Sequence, residues 1–215
     1  MDFKRLIQQP EAARDERWEA EFLDGILTRK VQLEGDEAKE GPDGWPYFFV
    51  RTELEPGQAG EPFVEIVKWL SSRGIGLAVN AHKMLPDYIF PYGMLWNYVE
   101  TGRFVAQQGP LKEGEVIYDE NEKVLFGPPS EKYLPLYVRS VLREFLLAQG
   151  FTTTKILVAT SPDYKNVDLV ISVDSLNGLP KSQHKTLADM LAWFLPLHYT
   201  LVLGPEEGLP KFYDL

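Results

Sequence analysis

The chain has 215 residues, 44% of them hydrophobic and 25% charged, with 32 acidic against 22 basic side chains and a formal charge of −10. That composition excludes a disordered chain, and the thin spread of Lys and Arg argues against nucleic-acid or anionic-membrane binding, which needs clustered cations. Cysteine is absent, which rules out disulfides, thiol nucleophiles and cysteine-based metal sites and fits a reducing cytoplasm.

The opening residues, MDFKRLIQQPEAARDERWEAEF, lack the apolar core of a signal peptide. The longest apolar run, MLAWFLPL from Met190, is too short to span a bilayer. The first helix is predicted over about 10–25, with Pro10 early in it and Ala13, Trp18, Phe22 and Leu23 near one stripe. ILTRKVQL follows as a strand, then the polar loop EGDEAKEGPDG. WPYFFVRT, dense in aromatic and β-branched residues, predicts a strand. PFVEIVKWLSSRG predicts a helix, with Pro62 at its start, Gly74 past its end, and Phe63, Ile66, Val67 and Leu70 on one face. IGLAVNA is a second buried strand, DYIF its hairpin partner, and PYGMLWNYVETG a helix opened by Pro91 and closed by Gly102. The first half therefore reads as a β-α-β-β-α lobe.

The segment EVIY-DENE-KVLF predicts a hairpin with an acidic turn, and GPPS after it marks a boundary, giving an N-terminal lobe over 1–126 and a C-terminal lobe over 127–215. In the second, EKYLPLYVRSVLREFLLAQG predicts a helix capped by Ser130 and ended by Gly150. TTKILVAT and VDLVISVD form a hairpin, a helix covers about 182–195 up to Pro196, HYTLVLG is a last strand, and LPKFYDL is a tail. The expected class is α/β or α+β, with two small mixed-sheet lobes and helices packed on the sheets.

No sequence motif names a reaction. The three histidines, His82, His184 and His198, have no metal-like spacing. His82 follows a buried strand, where open α/β sheets place functional groups, and Asp87 lies five residues on. DENE lacks the ligand alternation and glycine of a calcium loop, and RGIGL carries its glycines before a strand, where they cannot cradle phosphate. Asp163, Asp168 and Asp174 flank two strands without a sign that they converge. No cofactor, metal ligand or catalytic residue is assigned.

The densest aromatic stretch is LPDYIFPYGMLWNYVETG, residues 85–102. Met94, Leu95, Tyr98 and Val99 share a helical face that suits the core. Trp96 lies roughly 100–200° off that face, a turn from Tyr92. The stretch is chiefly a strand-to-helix corner. Trp96 is covered in one reading and an exposed anchor beside Tyr92 in the other.

The order of elements resembles the SseB family, bacterial proteins named for enhanced serine sensitivity. The resemblance rests on FLDGILTRKVQL, GWPYFFVRT, PFVEIVKWLSSRG, IGLAVNA with Asn80, the helix GMLWNYVETG, the helix-strand-strand-helix-strand second half, and the end LPKFYDL. It departs from the family where NAH stands for the usual Asn-Pro and VRT for Phe-Thr. The resemblance implies a cytoplasmic bacterial regulatory or interaction module without established catalytic residues.

The leading expectation is a non-enzymatic module that binds a protein partner through an acidic, aromatic-containing surface. Tyr92 and Trp96 would be its apolar anchors, with Asn80, His82 and Asp87 as polar contacts. One rival is a small-ligand-binding protein or hydrolase using a cleft near His82, which requires His82 and Asp87 within hydrogen-bond reach. Another is an immunity-type or chaperone-like protein that neutralises a basic toxin or effector by charge. A structural subunit of a larger assembly is the remaining expectation.

Overall fold

The computed structural model describes residues 2–105, 123–163, 167–196 and 198–215. The chain divides into two compact units, Met1–Val105 and Ala106–Leu215, and the class is α+β with a mixed sheet in each. No helix among the described residues is long and apolar enough to cross a membrane.

The first unit runs α1 (Phe3–Leu6), α2 (Glu16–Ile26), β1 (Lys30–Leu33), β2 (Lys39–Glu40), β3 (Pro46–Arg51), β4 (Glu61–Pro62), α3 (Phe63–Ser71), β5 (Gly76–Val79), β6 (Tyr88–Phe90) and α4 (Tyr92–Thr101). Its sheet has the order β4-β1-β3-β5-β6, with β2 also on β3. Strands β3 and β5 are parallel and joined through α3, and β6 returns antiparallel to β5 as the expected hairpin partner. Phe48 and Val50 of β3 enter a core with Phe22, Val31, Phe63 and Leu77, sharing one face of the sheet as strand residues two apart do.

The start of the first long helix differs from the sequence reading. Residues 11–13 form a single 3-10 turn, and α2 begins only at Glu16, because the Asp15 carboxylate accepts from the Trp18 amide at 2.8 Å and caps it there. The short α1 has no amphipathic length from which to be read. Its Phe3 and Leu6 reach the core nonetheless, and the Leu6 carbonyl accepts from Trp18 Nε1 at 2.9 Å.

The second unit holds β7 (Leu125–Gly127), α5 (Leu136–Ala148), β8 (Lys155–Thr160), β9 (Val167–Ser172), α6 (Lys181–Phe194), β10 (Thr200–Gly204) and β11 (Tyr213–Asp214). The sheet order is β10-β9-β8-β11, with β7 also on β8. The β8–β9 hairpin is antiparallel as expected, and β9 and β10 are parallel. Helix α5 starts at Leu136 rather than near Ser130, because Pro135 disfavours helical backbone at Leu134. The Ser130 hydroxyl accepts from the Tyr133 amide in the turn before it. The terminal tail is partly a strand, since Tyr213 and Asp214 pair with Ile156 and Lys155.

The division after Val105 falls earlier than the boundary after Phe126 expected from GPPS. Strand β7, the end of the expected hairpin, pairs with β8 of the second unit. Residues 115–122 of that hairpin, including its DENE turn, lie outside the described residues.

Candidate functional site

Strand β5 ends at Val79, and the backbone turns sharply there because Asn80 adopts φ 56°, a left-handed conformation that Asn tolerates better than most residues. The Asn80 amide still donates to the Val50 carbonyl at 2.7 Å, so the turn stays attached to β3. Seven residues later the Asp87 amide donates to the Val79 carbonyl at 2.9 Å, closing loop 80–87 at its root.

Side chains lock the same root. Asn80 Nδ2 donates to Asp87 Oδ2 at 2.6 Å and to Thr52 Oγ1 at 2.9 Å, while Asn80 Oδ1 accepts from the Thr52 amide at 2.9 Å. Arg14 reaches across from the turn before α2. Its Nη2 donates to Asp87 Oδ1 and its Nη1 to the Asp87 carbonyl, both at 2.8 Å, and its guanidinium lies over the Trp18 ring. Lys83 Nζ donates to Asp87 Oδ2 from within the loop. The Asp87 side chain is only 2% exposed. Burial by itself would raise its pKa, but the hydrogen bonds from Lys83, Asn80 and Arg14 outweigh that and hold the carboxyl below the usual carboxylate range. Asp87 is therefore an ionised structural anchor whose oxygens are occupied, which suits it poorly to proton transfer.

His82 does not meet Asp87. Its Nδ1 lies 2.9 Å from Glu34 Oε1, and the same oxygen accepts from Arg51 Nε at 2.7 Å. For Glu34, burial works upward and the Arg51 and His82 contacts work downward, and the contacts prevail. The His82–Asp87 pair that a hydrolytic reading requires is thus replaced by two separate clusters, one on each carboxylate. Glu34, just after β1, and Thr52, just after β3, are joined to loop 80–87 by these bonds.

Tyr92 and Trp96 are core residues, 1% and 6% exposed, not outer anchors. The Tyr92 hydroxyl donates to the Ser71 carbonyl of α3 at 3.0 Å, and Trp96 Nε1 donates to Glu100 Oε1 at 2.9 Å. The stripe reading fails because α4 is buried around most of its girth, at Tyr92, Gly93, Leu95, Trp96 and Asn97, whereas Val99 is exposed.

The most exposed large apolar side chain among the described residues is instead Met84 of loop 80–87, at 97%, next to Leu85 at 53%. Along the chain, exposed Glu53 and Glu55 flank exposed Leu54 just after Thr52, and exposed Asp36 and Glu37 follow Glu34. Sequence reasoning missed Met84, Leu85, Arg14, Thr52 and Lys83. An apolar pair inside HKMLPD, in step with neither a strand nor a helix period, was the available signal for the first two. Arg14 had none, because its partner lies 73 positions away.

Elsewhere, His184 Nε2 contacts the Leu179 carbonyl at 3.1 Å and His198 packs edge-on against Tyr199. No group of three or more His, Asp or Glu side chains among the described residues could hold a metal ion. A cleft of about 440 Å³ lies in the second unit, lined by Lys155, Glu206, Lys211, Phe212 and Asp214 among others. Its Lys155 and Glu206 are paired to each other at 3.1 Å, and Ser172 Oγ donates to Glu206 at 2.8 Å. No family model, curated protein or solved structure matches the chain.

Proposed function

We propose that the chain is a non-enzymatic protein-interaction module of regulatory type, acting in the bacterial cytoplasm, and that it docks its partner through the tip of loop 80–87. The kinship with the SseB family belongs to this reading. The observation that carries it is the contrast between a solvent-exposed Met84–Leu85 tip and the buried Asp87 network beneath it. An exposed flexible methionine adapts to irregular apolar pockets. A tip tied at its root loses less conformational entropy on docking than a free loop does.

Asn80 and Asp87 support the contact from beneath, and His82 stands on the exposed side with Glu34. The exposed acids that follow Thr52 and Glu34 favour a partner with an apolar pocket and a basic rim. Tyr92 and Trp96 stabilise α4 and take no part. The pairing of His82 with Glu34, and the saturation of Asp87, weigh against the hydrolytic alternative.

The test is affinity capture from the host with the tagged protein, beside Met84→Asp and, as a control at another exposed apolar position, Leu147→Asp. The reading expects a stoichiometric protein that the loop variant loses and the control retains. Equal capture by all three proteins, or no protein captured at low salt, would remove the loop as the docking surface.

A further inference from the structure

Among the described residues, strand β10 forms one border of the second unit's sheet, with β9 as its only strand neighbour. The carbonyl of Gly204 accepts from the Val173 amide, which sets the parity of the strand. Thr200, Val202 and Gly204 turn their backbone groups toward β9, and the N–H and C=O of Leu201 and Leu203 point to the opposite, outer edge. Among the described residues none of these four groups has a hydrogen-bond partner. Proteins ordinarily blunt such an edge with charge, proline or a bulge. The run TLVLG has none of these, and Leu201, Val202 and Leu203 are all partly exposed.

We infer that β10 is the self-association edge of this protein, pairing antiparallel with β10 of a second copy about a two-fold axis at Val202. The outward groups belong to two residues placed symmetrically about Val202, so one pattern is its own complement under a two-fold rotation. That register pairs Leu201 with Leu203 of the second copy and, by symmetry, Leu203 with its Leu201, making four N–H···O=C bonds. No charged side chain lies in the ladder, so two copies of a chain of charge −10 meet there without like charges opposed. Pro205 is the next outward-facing residue and has no N–H to donate, which ends the ladder and fixes its length.

The cysteine-free sequence makes the register directly measurable. Val202 sits in the non-hydrogen-bonded position on the axis, where the two Cα atoms approach to about 4.5 Å, within disulfide range. The edge predicts a mass that doubles with rising concentration in light scattering, and a covalent dimer from Val202→Cys under mild oxidation. Leu201→Cys, which faces position 203 instead of itself, forms no such dimer. Leu203→Pro removes one outward donor, leaves the bonds to β9 in place, and abolishes the dimer. A monomeric mass at every concentration, or a dimer in which Val202→Cys crosslinks no faster than Leu201→Cys, overturns the inference.

Discussion

Asn80 and Asp87 are joined by a 2.6 Å hydrogen bond that closes the root of the loop carrying Met84 and Leu85. The two residues also carry the backbone bonds that tie this root to β3 and β5. The tip is therefore exposed without being loose, and each part of that arrangement can be varied separately.

Arg14 makes the longest-range tie. Arg14→Ala leaves Asp87 buried with Lys83 and Asn80 as remaining partners. Breaking a fully buried pair costs about 3–5 kcal/mol, and the retained partners reduce the expected loss to about 2 kcal/mol. Urea unfolding followed through Trp18, which stacks under Arg14, measures it. A loss within experimental error would mean that the guanidinium is dispensable to the root.

Asn80 combines backbone conformation with side-chain bonding, and two substitutions separate them. Asn80→Gly keeps the left-handed turn and loses only the bonds to Thr52 and Asp87. Asn80→Ala loses those bonds and also places a Cβ where φ is 56°, at a further cost of about 1 kcal/mol. The alanine variant is expected to be the less stable of the two in equilibrium denaturation. Equal stability would show that the turn relaxes.

The Asp87 carboxyl also sets a pH dependence. Its folded pKa lies below the ordinary aspartate value of 3.8, so the unfolded chain takes up the proton first as pH falls. The stabilisation is fully present above that value and is lost as pH drops toward and through the folded pKa. The stability gap between the wild type and Asp87→Asn should be constant near neutrality and shrink below pH 3.8. Glu34 titrates in the same direction but contributes equally to both proteins and cancels in the difference. A gap that widens in acid would contradict the sign.

Trp96 is a core residue, and Trp96→Ala is expected to destabilise the first unit by about 3–5 kcal/mol, as large-to-small core substitutions do. Trp96→Phe keeps most of the volume but not the bond to Glu100, and should cost clearly less. Calorimetric unfolding separates this from a surface role, for which both substitutions would be nearly neutral.

The elements that the sequence made legible are those with one dominant local signal. WPYFFVRT and IGLAVNA are strands because aromatic and β-branched runs have little else to become. Pro91 and Gly102 bound α4 because proline suits a helix start, and the closing Gly102 takes a φ of 76°. His82 was legible as following the strand IGLAVNA, with Asn80 at the end of that strand and Asp87 at the start of DYIF. Their partners were not legible, since Arg14, Glu34 and Thr52 come from other strands and turns and meet the loop only in the folded sheet. Trp96 was misread as a candidate anchor for a related reason: a helix enclosed by α3 and the sheet has no polar face from which to measure an apolar one. The exposure of Met84 follows from the closure of the loop beneath it, which a one-dimensional pattern does not encode.

The central claim is that the tip of loop 80–87 touches a protein partner. The most direct measurement places a photo-crosslinking amino acid at position 84 in host cells, with the same group at exposed position 147 as the comparison. One discrete crosslinked protein is expected from position 84, and none in common with position 147. No adduct from position 84, or the same adducts from both positions, would contradict it.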